Sequence, residues 1–290
     1  MTQLIRSVEL SPGLYVVATP IGNLRDVTLR ALDTLASVDV IYAEDTRQTK
    51  RLLDTYAISA PLKPYHDHNG AQMRPRILRD IEEGRAVALV SDAGTPLISD
   101  PGYKLVRELT EAGHSVVPLP GPSAAIAALS AAGLPTDVFT FAGFLPPKSG
   151  QRQDRLRAFS AQKATLVLYE TGPRLVDTLQ DLVESCGGDI EVVVARELTK
   201  LFEEFRRGSA EDLLAALKDE PPPKGEIVLL ISMTGEPAGE ASQEQIDAYL
   251  REHLPKLGAK GAANEAARKY GKPKRELYAR AVELQKSEEP

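Results

Sequence analysis

The sequence predicts two consecutive α/β units followed by a small module of helices. Three observations lead to this prediction. Short apolar runs alternate with helical segments, the alternation stops at a stretch rich in Gly, Pro and Glu, and the residues after that stretch have helical spacing. At 290 residues the chain is too long for one typical core and suits two medium domains with a small appendage.

The first unit contains four runs of apolar and β-branched residues that predict strands, at residues 14–18, 38–43, 86–90 and 115–119. Between them, Leu29, Leu32 and Leu35 recur at threefold spacing, and Pro122 opens an alanine-rich segment after Gly121. Strands that alternate with helices are typical of a parallel α/β sheet. We therefore predict a first α/β domain at residues 1–121.

The second unit repeats this rhythm, with strand-like runs at residues 140–144, 165–169, 190–195 and 227–232. Helical candidates lie between them, at residues 152–161, 174–184 and 210–218. The two units join at residues 121–140. We predict a second α/β domain at residues 122–235.

A helical module follows. Residues 233–240 have no periodicity and predict a linker, and Ser242 with Gln245 fits a capping box for the first helix beyond it. Two more helices are predicted at residues 261–270 and 274–285. The domain predicted at residues 241–290 is of helix-turn-helix type.

The net charge of −6 is unevenly distributed along the chain. Between Leu254 and Arg280 there are eight basic and two acidic residues, so this segment carries +6 and the rest of the chain −12. An acidic body with a basic tail indicates that the tail binds a polyanion and that the body has another role. A solvated helical face is the alternative explanation.

The sequence also excludes several classes of protein. No apolar run approaches the roughly 18 residues of a membrane span, and the motifs of dinucleotide-binding folds, P-loops and zincins are absent. The one cysteine, Cys186, cannot form an intramolecular disulfide and fits a reducing compartment. We predict a cytoplasmic protein without a membrane segment and without a metal site.

Bend-prone loops follow the predicted strands, at the edge where open α/β sheets bind ligands. They include residues 19–24, 91–102 and 120–125. The loop at 91–102 combines three hydroxyls, two carboxylates, two glycines and two prolines. Such a rigid and acidic loop suits a cation or a ribose-bearing cofactor, whereas two successive turns with Asx caps are the alternative interpretation.

The loops carry a recognisable series of motifs, which are T-P-I-G-N-L-x-D-V-T-x-R-A from Thr19, A-E-D-T-R from Ala43, S-D-A-G-T-P-x-I-S-D-P-G from Ser91, P-G-P-S-A from Pro120 and A-R-E-L-T-K from Ala195. In this order they closely resemble the bacterial 16S ribosomal RNA cytidine 2′-O-methyltransferase family of the tetrapyrrole-methylase superfamily. The resemblance runs from about Leu14 through Ser232, and the basic tail is similar to the C-terminal helical module of that family.

The resemblance implies two α/β domains of tetrapyrrole-methylase type with S-adenosylmethionine in a cleft between them, commonly in a homodimer. It also implies the residues that bind the cofactor, which in this chain are Ile21, Asp92, Thr95, Ser123, Ala124, Tyr169 and Ala195.

This chain departs from the family pattern at two places. Where the family often has Tyr-Glu-Ser-x-His-Arg, residues 169–174 read Tyr-Glu-Thr-Gly-Pro-Arg, so no histidine is available there. Where the family has His-Glu-His-Asn-Glu, the chain has His-Asp-His-Asn-Gly from His66, which leaves the fifth position without a carboxylate.

Transfer of a methyl group from a sulfonium to a hydroxyl is an in-line displacement, and a ribose hydroxyl is a weak nucleophile that needs an acceptor for its proton. Glu44, His66 and Glu197 are the predicted catalytic residues, with Asp45 as a further candidate, and the sequence does not rank them. The residues predicted to bind the substrate are Arg47, Arg196, Lys274 and Arg275, because guanidinium and ammonium groups bind phosphate. For the two first-named arginines a structural ion pair is the alternative.

The predicted function is methylation, from S-adenosylmethionine, of the ribose 2′-hydroxyl of a decoding-region cytidine in 16S ribosomal RNA of the small subunit. Two alternatives stay open at this point. One is a methyltransferase that acts on a tetrapyrrole or corrinoid precursor, for which the basic tail has no evident use. The other is an RNA-binding protein without catalytic activity.

Overall fold

The computed structural model describes residues 5–233, 243–270 and 272–287 of the chain. It divides into two compact units. The first contains the described residues up to Ala127 together with Glu197–Glu203, and the second contains Ala128–Arg196 and the described residues from Glu204 onwards.

The first unit is built on a five-stranded sheet in which all neighbours are parallel. Its strands are β1 (Gly13–Val17), β2 (Val40–Ala43), β3 (Leu62–Pro64), β4 (Ala86–Val90) and β5 (Val116–Leu119). Their spatial order is β3-β2-β4-β1-β5. The connecting helices are α1 (Leu29–Ser37), α2 (Thr46–Thr55), α3 (Gly70–Glu82), α4 (Tyr103–Glu111) and α5 (Ala124–Ala132), the last of which continues into the second unit.

Both faces of this sheet are covered, which explains why β1, β2 and β4 are apolar at every position rather than at every second one. Tyr15 and Val17 of β1 pack into one core with Leu32 of α1, whereas Leu14 packs into the other core with Ile77 of α3. All five residues of β1 are buried. Burial on two faces holds the ends of the strands in fixed register.

The second unit has a mixed sheet with the strand order β6-β7-β10-β8-β9. The strands are β6 (Phe139–Phe144), β7 (Thr165–Thr171), β8 (Glu191–Arg196), β9 (Glu204–Ser209) and β10 (Glu226–Ser232). β6 and β7 are parallel, and β10 is antiparallel to both β7 and β8, as β9 is to β8. Helices α6 (Ser149–Ser160), α7 (Gly172–Cys186) and α8 (Ala210–Lys218) lie between the strands along the chain.

The C-terminal module consists of α9 (Gln243–Tyr270) and α10 (Lys274–Ser287). α9 bends at Gly258, whose φ of 65° is not helical, so the module has three helical segments. Leu250, Ala263 and Leu277 belong to its own small core. The helices predicted at 261–270 and 274–285 are found there, whereas Ser242 and residues 234–240 of the predicted linker lie outside the described residues.

All eight predicted strands are present, within two residues at each end, and the structure adds β3 and β9. β3 has only three residues and ends on Pro64, so it has no periodicity to detect. β9 reads Glu-Phe-Arg-Arg-Gly-Ser, and this polar sequence is that of an edge strand. No described helix is long and apolar enough to span a bilayer.

Candidate cofactor and active site

The carboxyl ends of the five strands of the first sheet form one row. Pairing places Ala43 beside both Pro64 and Val90, Val90 beside Val17, and Val17 beside Leu119. The next residue of each strand therefore begins a loop at the same edge, as parallel pairing requires. We call this row, with the loops that follow it, the first-sheet edge.

Two of these loops are bonded to each other. The Thr19 amide donates to the Gly94 carbonyl (2.9 Å) and the Gly94 amide to the Thr19 carbonyl (3.0 Å), while Thr19 Oγ1 donates to the Ser91 carbonyl (3.1 Å). Gly94 has a φ of 82°, which favours glycine. Residues 19–24 and 91–102, which are distant in sequence, thus form one continuous surface.

The third loop joins them through Thr95, whose Oγ1 donates to the Pro122 carbonyl (3.1 Å). A Cβ placed on Gly94 would lie 3.4 Å from Ile21 Cγ2 and 3.7 Å from the Pro122 carbonyl oxygen. Five residues predicted to bind the cofactor are therefore brought to the first-sheet edge or to the start of α5, and these are Ile21, Asp92, Thr95, Ser123 and Ala124.

Carboxylates make this edge strongly acidic. The Asp45 amide donates to Asp92 Oδ1 (2.8 Å), which ties the end of β2 to the acidic loop. Burial, and then the nearby charges of Asp100 and Asp92, raise the pKa of the Glu44 carboxyl from 4.5 to about 7. Burial also raises the pKa of Asp100. Glu44 can consequently hold or release a proton near neutral pH.

Arg47 lies on the first turn of α2 and pairs with the residue that caps this helix. Asp45 accepts from the Arg47 amide (2.8 Å), and Arg47 Nη2 lies 2.7 Å from Asp45 Oδ2. These bonds from Arg47 lower the pKa of Asp45 to about 2. The side chain of Arg47 is nevertheless 87% exposed, so a second anion can reach its guanidinium.

His66 follows β3 and is partly buried. Its amide donates to Asn69 Oδ1 (2.9 Å). Its Nδ1 atom is buried, and no group among the described residues bonds to it. The ring lies edge-on to that of His68, with 5.9 Å between centroids. A buried nitrogen without a partner is costly, and a bound ligand would relieve the cost.

The segment Glu197–Glu203 lies between two strands of the second sheet in sequence but belongs to the first unit. Thr199 Oγ1 accepts from the Asn23 amide (3.1 Å), and a Cβ on Gly22 would come within 2.5 Å of Lys200 Cγ. Gly22 is thus required for this close approach, a reason that the sequence did not reveal.

Within this segment, Glu197 and Thr199 have φ values of 52° and 65°, which are unfavourable for residues with a Cβ and most of all for the branched Thr199. Lys200 Nζ lies 2.7 Å from Glu197 Oε1. The predicted catalytic residue Glu197 therefore lies in the first unit, in a strained turn beside residues 19–24. Thr199 is a further candidate site residue that the sequence did not indicate, because backbone strain leaves no signal in composition.

The second unit holds the other predicted residues. Tyr169 is partly buried near the end of β7, whereas the side chain of Ala195 in β8 is fully buried. Arg196 Nε donates to Glu204 Oε2 (3.1 Å) and Nη1 to the Lys224 carbonyl (3.1 Å). Arg47 and Arg196 thus both form the ion pairs that the sequence left open as an alternative.

Lys274 and Arg275 are exposed at the start of α10. Lys274 lies on a groove of about 480 Å³ in the C-terminal module, which is also lined by Lys272 and Asn264. The described part of the chain contains no group of three or more His, Cys, Asp or Glu side chains arranged to hold a metal ion.

Two known protein families together match most of the chain. The family described as Tetrapyrrole (Corrin/Porphyrin) Methylases matches residues 13–214, and the RsmI C-terminal HTH domain matches residues 240–285. The fold of the two α/β units is also that of solved methyltransferases. Uroporphyrin-III-C-methyltransferase from Thermus thermophilus is 23% identical, with a TM-score of 0.52 over 77% of this chain and 96% of the other.

Full-length relatives are considerably more similar. Ribosomal RNA small subunit methyltransferase I from Mesorhizobium japonicum is 48% identical over 95% of this chain and 93% of the relative. The protein of the same name from Escherichia coli O157:H7 is 49% identical over 97% of this chain and 98% of the relative. With both its methylase units and its C-terminal module matched, the chain belongs to the ribosomal RNA small subunit methyltransferase I family of tetrapyrrole methylases.

Proposed function

We propose that this methyltransferase transfers a methyl group from S-adenosylmethionine to the ribose 2′-hydroxyl of a decoding-region cytidine in 16S ribosomal RNA. The observation that carries the proposal is the first-sheet edge, where Glu44, with a pKa of about 7, lies near the carboxylates of the loop at 91–102. The names of the relatives, which refer to small subunit ribosomal RNA, support the substrate class.

The residues of the first-sheet edge fit S-adenosylmethionine. When bound, this cofactor supplies a methyl group activated by a positively charged sulfur. The carboxylate of Asp92 is exposed and suits ribose hydroxyls or a positive charge, and Ile21 offers an apolar wall. Because Gly94 has no side chain, a ligand can approach its backbone closely beside Ile21. Tyr169 and Ala195 keep their predicted role on the basis of resemblance.

Glu44 is the proposed proton acceptor for the ribose hydroxyl. A general base works best when its pKa lies near the working pH, and that of Glu44 is about 7. His66, with its buried and unpaired Nδ1, is proposed to assist in positioning the hydroxyl. Glu197 is held by Lys200 and keeps its predicted place among the catalytic residues.

The RNA is proposed to bind through separate basic groups. Lys274 and Arg275 are exposed on the C-terminal module, and the exposed guanidinium of Arg47 can bind a phosphate beside its intramolecular partner. Arg196 is proposed to add a further contact. Because the body of the protein is acidic, we expect it to repel naked RNA. The protein is therefore expected to act on an assembled small subunit in the cytoplasm. A homodimer stays a prediction from the family.

Alkaline cleavage of RNA tests the proposal. A 2′-O-methyl group removes the hydroxyl that attacks the phosphate, so the methylated nucleotide resists cleavage. RNA from small subunits of cells without this protein should be cleaved at one decoding-region cytidine that resists cleavage in RNA from wild-type cells. The purified protein with S-adenosylmethionine should restore this resistance. With a labelled methyl group on S-adenosylmethionine, label that enters only a base or a tetrapyrrole would refute ribose methylation. The absence of methyl transfer to any substrate would favour an RNA-binding protein without activity.

A further inference from the structure

The edge strand β6 contains a bulge that changes the direction of Phe144. Phe141 pairs with Val167 of β7, and Phe144 pairs with Tyr169, so three steps on β6 match two steps on β7. Gly143, with a φ of 61°, accommodates the extra residue. Residues three apart on a regular strand point to opposite faces, whereas this bulge brings both phenylalanines to the face of Tyr169.

The three rings form one aromatic group. The ring centroids of Phe141 and Tyr169 are 5.0 Å apart and those of Phe144 and Tyr169 are 5.7 Å apart, both in edge-to-face arrangement. Phe144 is still 53% exposed. Tyr169 therefore supports one side of Phe144, and much of the remaining ring surface is open to a planar ligand.

The loop that follows Phe144 is fixed by two arginines. Arg174 Nη2 donates to the carbonyls of Leu145 (2.7 Å) and Pro146 (3.3 Å), and Arg152 Nη1 donates to the Pro147 carbonyl (3.3 Å). Three successive carbonyls are thus held by side chains of α6 and α7.

Each of these arginines pairs with a buried carboxylate. Glu170, whose side chain is 1% exposed, lies 3.4 Å from Arg174 Nε, and Arg152 Nε donates to Asp181, whose side chain is 5% exposed. Breaking a buried pair of this kind leaves a charge without compensation, so the pairs hold the loop in one conformation. Two prolines stiffen it further.

Lys148 ends this loop and is exposed. No carboxylate of the described residues lies within ion-pair distance of its ammonium group. The fixed loop therefore has the exposed ring of Phe144 at one end and the exposed ammonium group of Lys148 at the other. Stacking on an aromatic ring and attraction of a phosphate are two interactions by which proteins bind single-stranded RNA without regard to its sequence.

We propose that Phe144 and Lys148 form a nucleotide clamp, in which Phe144 stacks on a base of single-stranded RNA and Lys148 binds a neighbouring phosphate. Arg152 and Arg174 act as positioning residues for this clamp. The inference rests on the proposed function, since it assigns part of the RNA substrate to the second unit. It adds to the charges of the C-terminal module a contact that holds one unstacked nucleotide.

The test compares full-length variants on small ribosomal subunits from cells that lack this protein, with labelled S-adenosylmethionine. Phe144→Ala should raise KM about tenfold, because loss of base stacking has an effect of that order, and Phe144→Tyr should restore it. Lys148→Gln should raise KM and lower the salt dependence of subunit binding by about 0.7 in the log–log slope. Phe139→Ala, at the opposite end of β6 and 41% exposed, and the exposed Lys163→Gln are matched controls that should leave KM unchanged.

Calorimetry with S-adenosylmethionine and light scattering complete the test. Phe144→Ala should leave the cofactor affinity and the oligomeric state unchanged. Weaker cofactor binding would assign Phe144 to the cofactor site, a changed oligomeric state would assign it to an interface between copies, and a KM equal to that of the wild type would remove it from the substrate site. Each result overturns the clamp. If the wild type itself transfers no methyl group to subunits, the proposed function fails instead.

Discussion

Among single residues, Glu44 combines a position at the first-sheet edge with a pKa suited to proton transfer near neutral pH. The pKa is raised by burial and by surrounding carboxylates, so both effects disfavour the charged form. We expect kcat/KM to rise with pH through a midpoint of about 7 as Glu44 ionises. Glu44→Gln should lower kcat about 10²-fold to 10⁴-fold and remove this inflection. Steady-state kinetics from about pH 5.5 to about pH 8.5 measure both effects.

The exposed Glu111→Gln on α4 is the matched control and should keep the wild-type profile. Stability gives a second readout. Because the pKa of Glu44 is raised on folding, its contribution to stability is complete below pH 4.5 and is lost as the pH rises through about 7. The wild type should lose free energy of unfolding as Glu44 ionises, whereas Gln does not titrate. Since Glu44 is only partly buried, the free energy of unfolding of Glu44→Gln should rise by about 1–2 kcal/mol relative to that of the wild type between about pH 5 and about pH 8. An unchanged kcat at about pH 8 would exclude Glu44 as the base.

Asp92 is the residue through which the acidic loop is expected to bind the cofactor. Asp92→Ala should weaken S-adenosylmethionine binding about tenfold to a hundredfold, which is the effect of losing a charge-assisted hydrogen bond. Isothermal titration calorimetry measures it, with Asp54→Ala on the exposed side of α2 as the control. If a folded Asp92→Ala protein binds the cofactor as tightly as the wild type, Asp92 lies outside the site.

At the scale of secondary-structure elements, the close approach at the start of α7 depends on one glycine. A Cβ on Gly172 would lie 1.6 Å from the Pro223 carbonyl oxygen, and the obstacle is backbone rather than a flexible side chain. Gly172→Ala should therefore destabilise the protein by about 3 kcal/mol or more. Gly150→Ala, near the start of α6 with nothing within 4 Å of the new atom, should be neutral or stabilising by up to about 1 kcal/mol. Urea unfolding that finds the two variants equally stable would contradict this packing.

Elements were predicted well where periodicity is strong and poorly where pairing alone defines the strand. The buried strands β1, β4 and β10 are evident as apolar runs. β9 is visible only through its neighbour β8, because an edge strand needs few apolar residues. Likewise, the antiparallel direction of β10 depends on long-range pairing that no local pattern indicates.

At the scale of the whole molecule, the contrast between an acidic body and a basic C-terminal module should govern RNA binding. The double variant Lys274→Gln/Arg275→Gln should weaken binding to small subunits and lower the log–log salt slope by about 0.7 for each phosphate group that is no longer bound, while cofactor affinity stays unchanged. Filter binding from about 50 to about 200 mM salt measures this slope. The exposed Lys218→Gln on α8 serves as the control. A slope equal to that of the wild type would indicate a structural role for the module.

The division into domains at residues 1–121, 122–235 and 241–290 stays a prediction, as does the homodimer. The compact units differ from a simple cut of the chain, since Glu197–Glu203 joins the first unit although the strands on either side of it belong to the second. Pro, Gly and Asx residues mark where loops occur but do not indicate which loops meet.

The sequence by itself determined the family, the two α/β units, the loops proposed to form the site and the basic module, because apolar periodicity, turn residues and ordered motifs are local properties of the chain. Tertiary structure decided which of the candidate side chains lie close together. The pKa of Glu44 depends on Asp92 and Asp100, which are distant along the chain, and the direction of Phe144 depends on its pairing with β7. Burial, charge proximity and strand register are long-range quantities, and they exist only once the chain has folded.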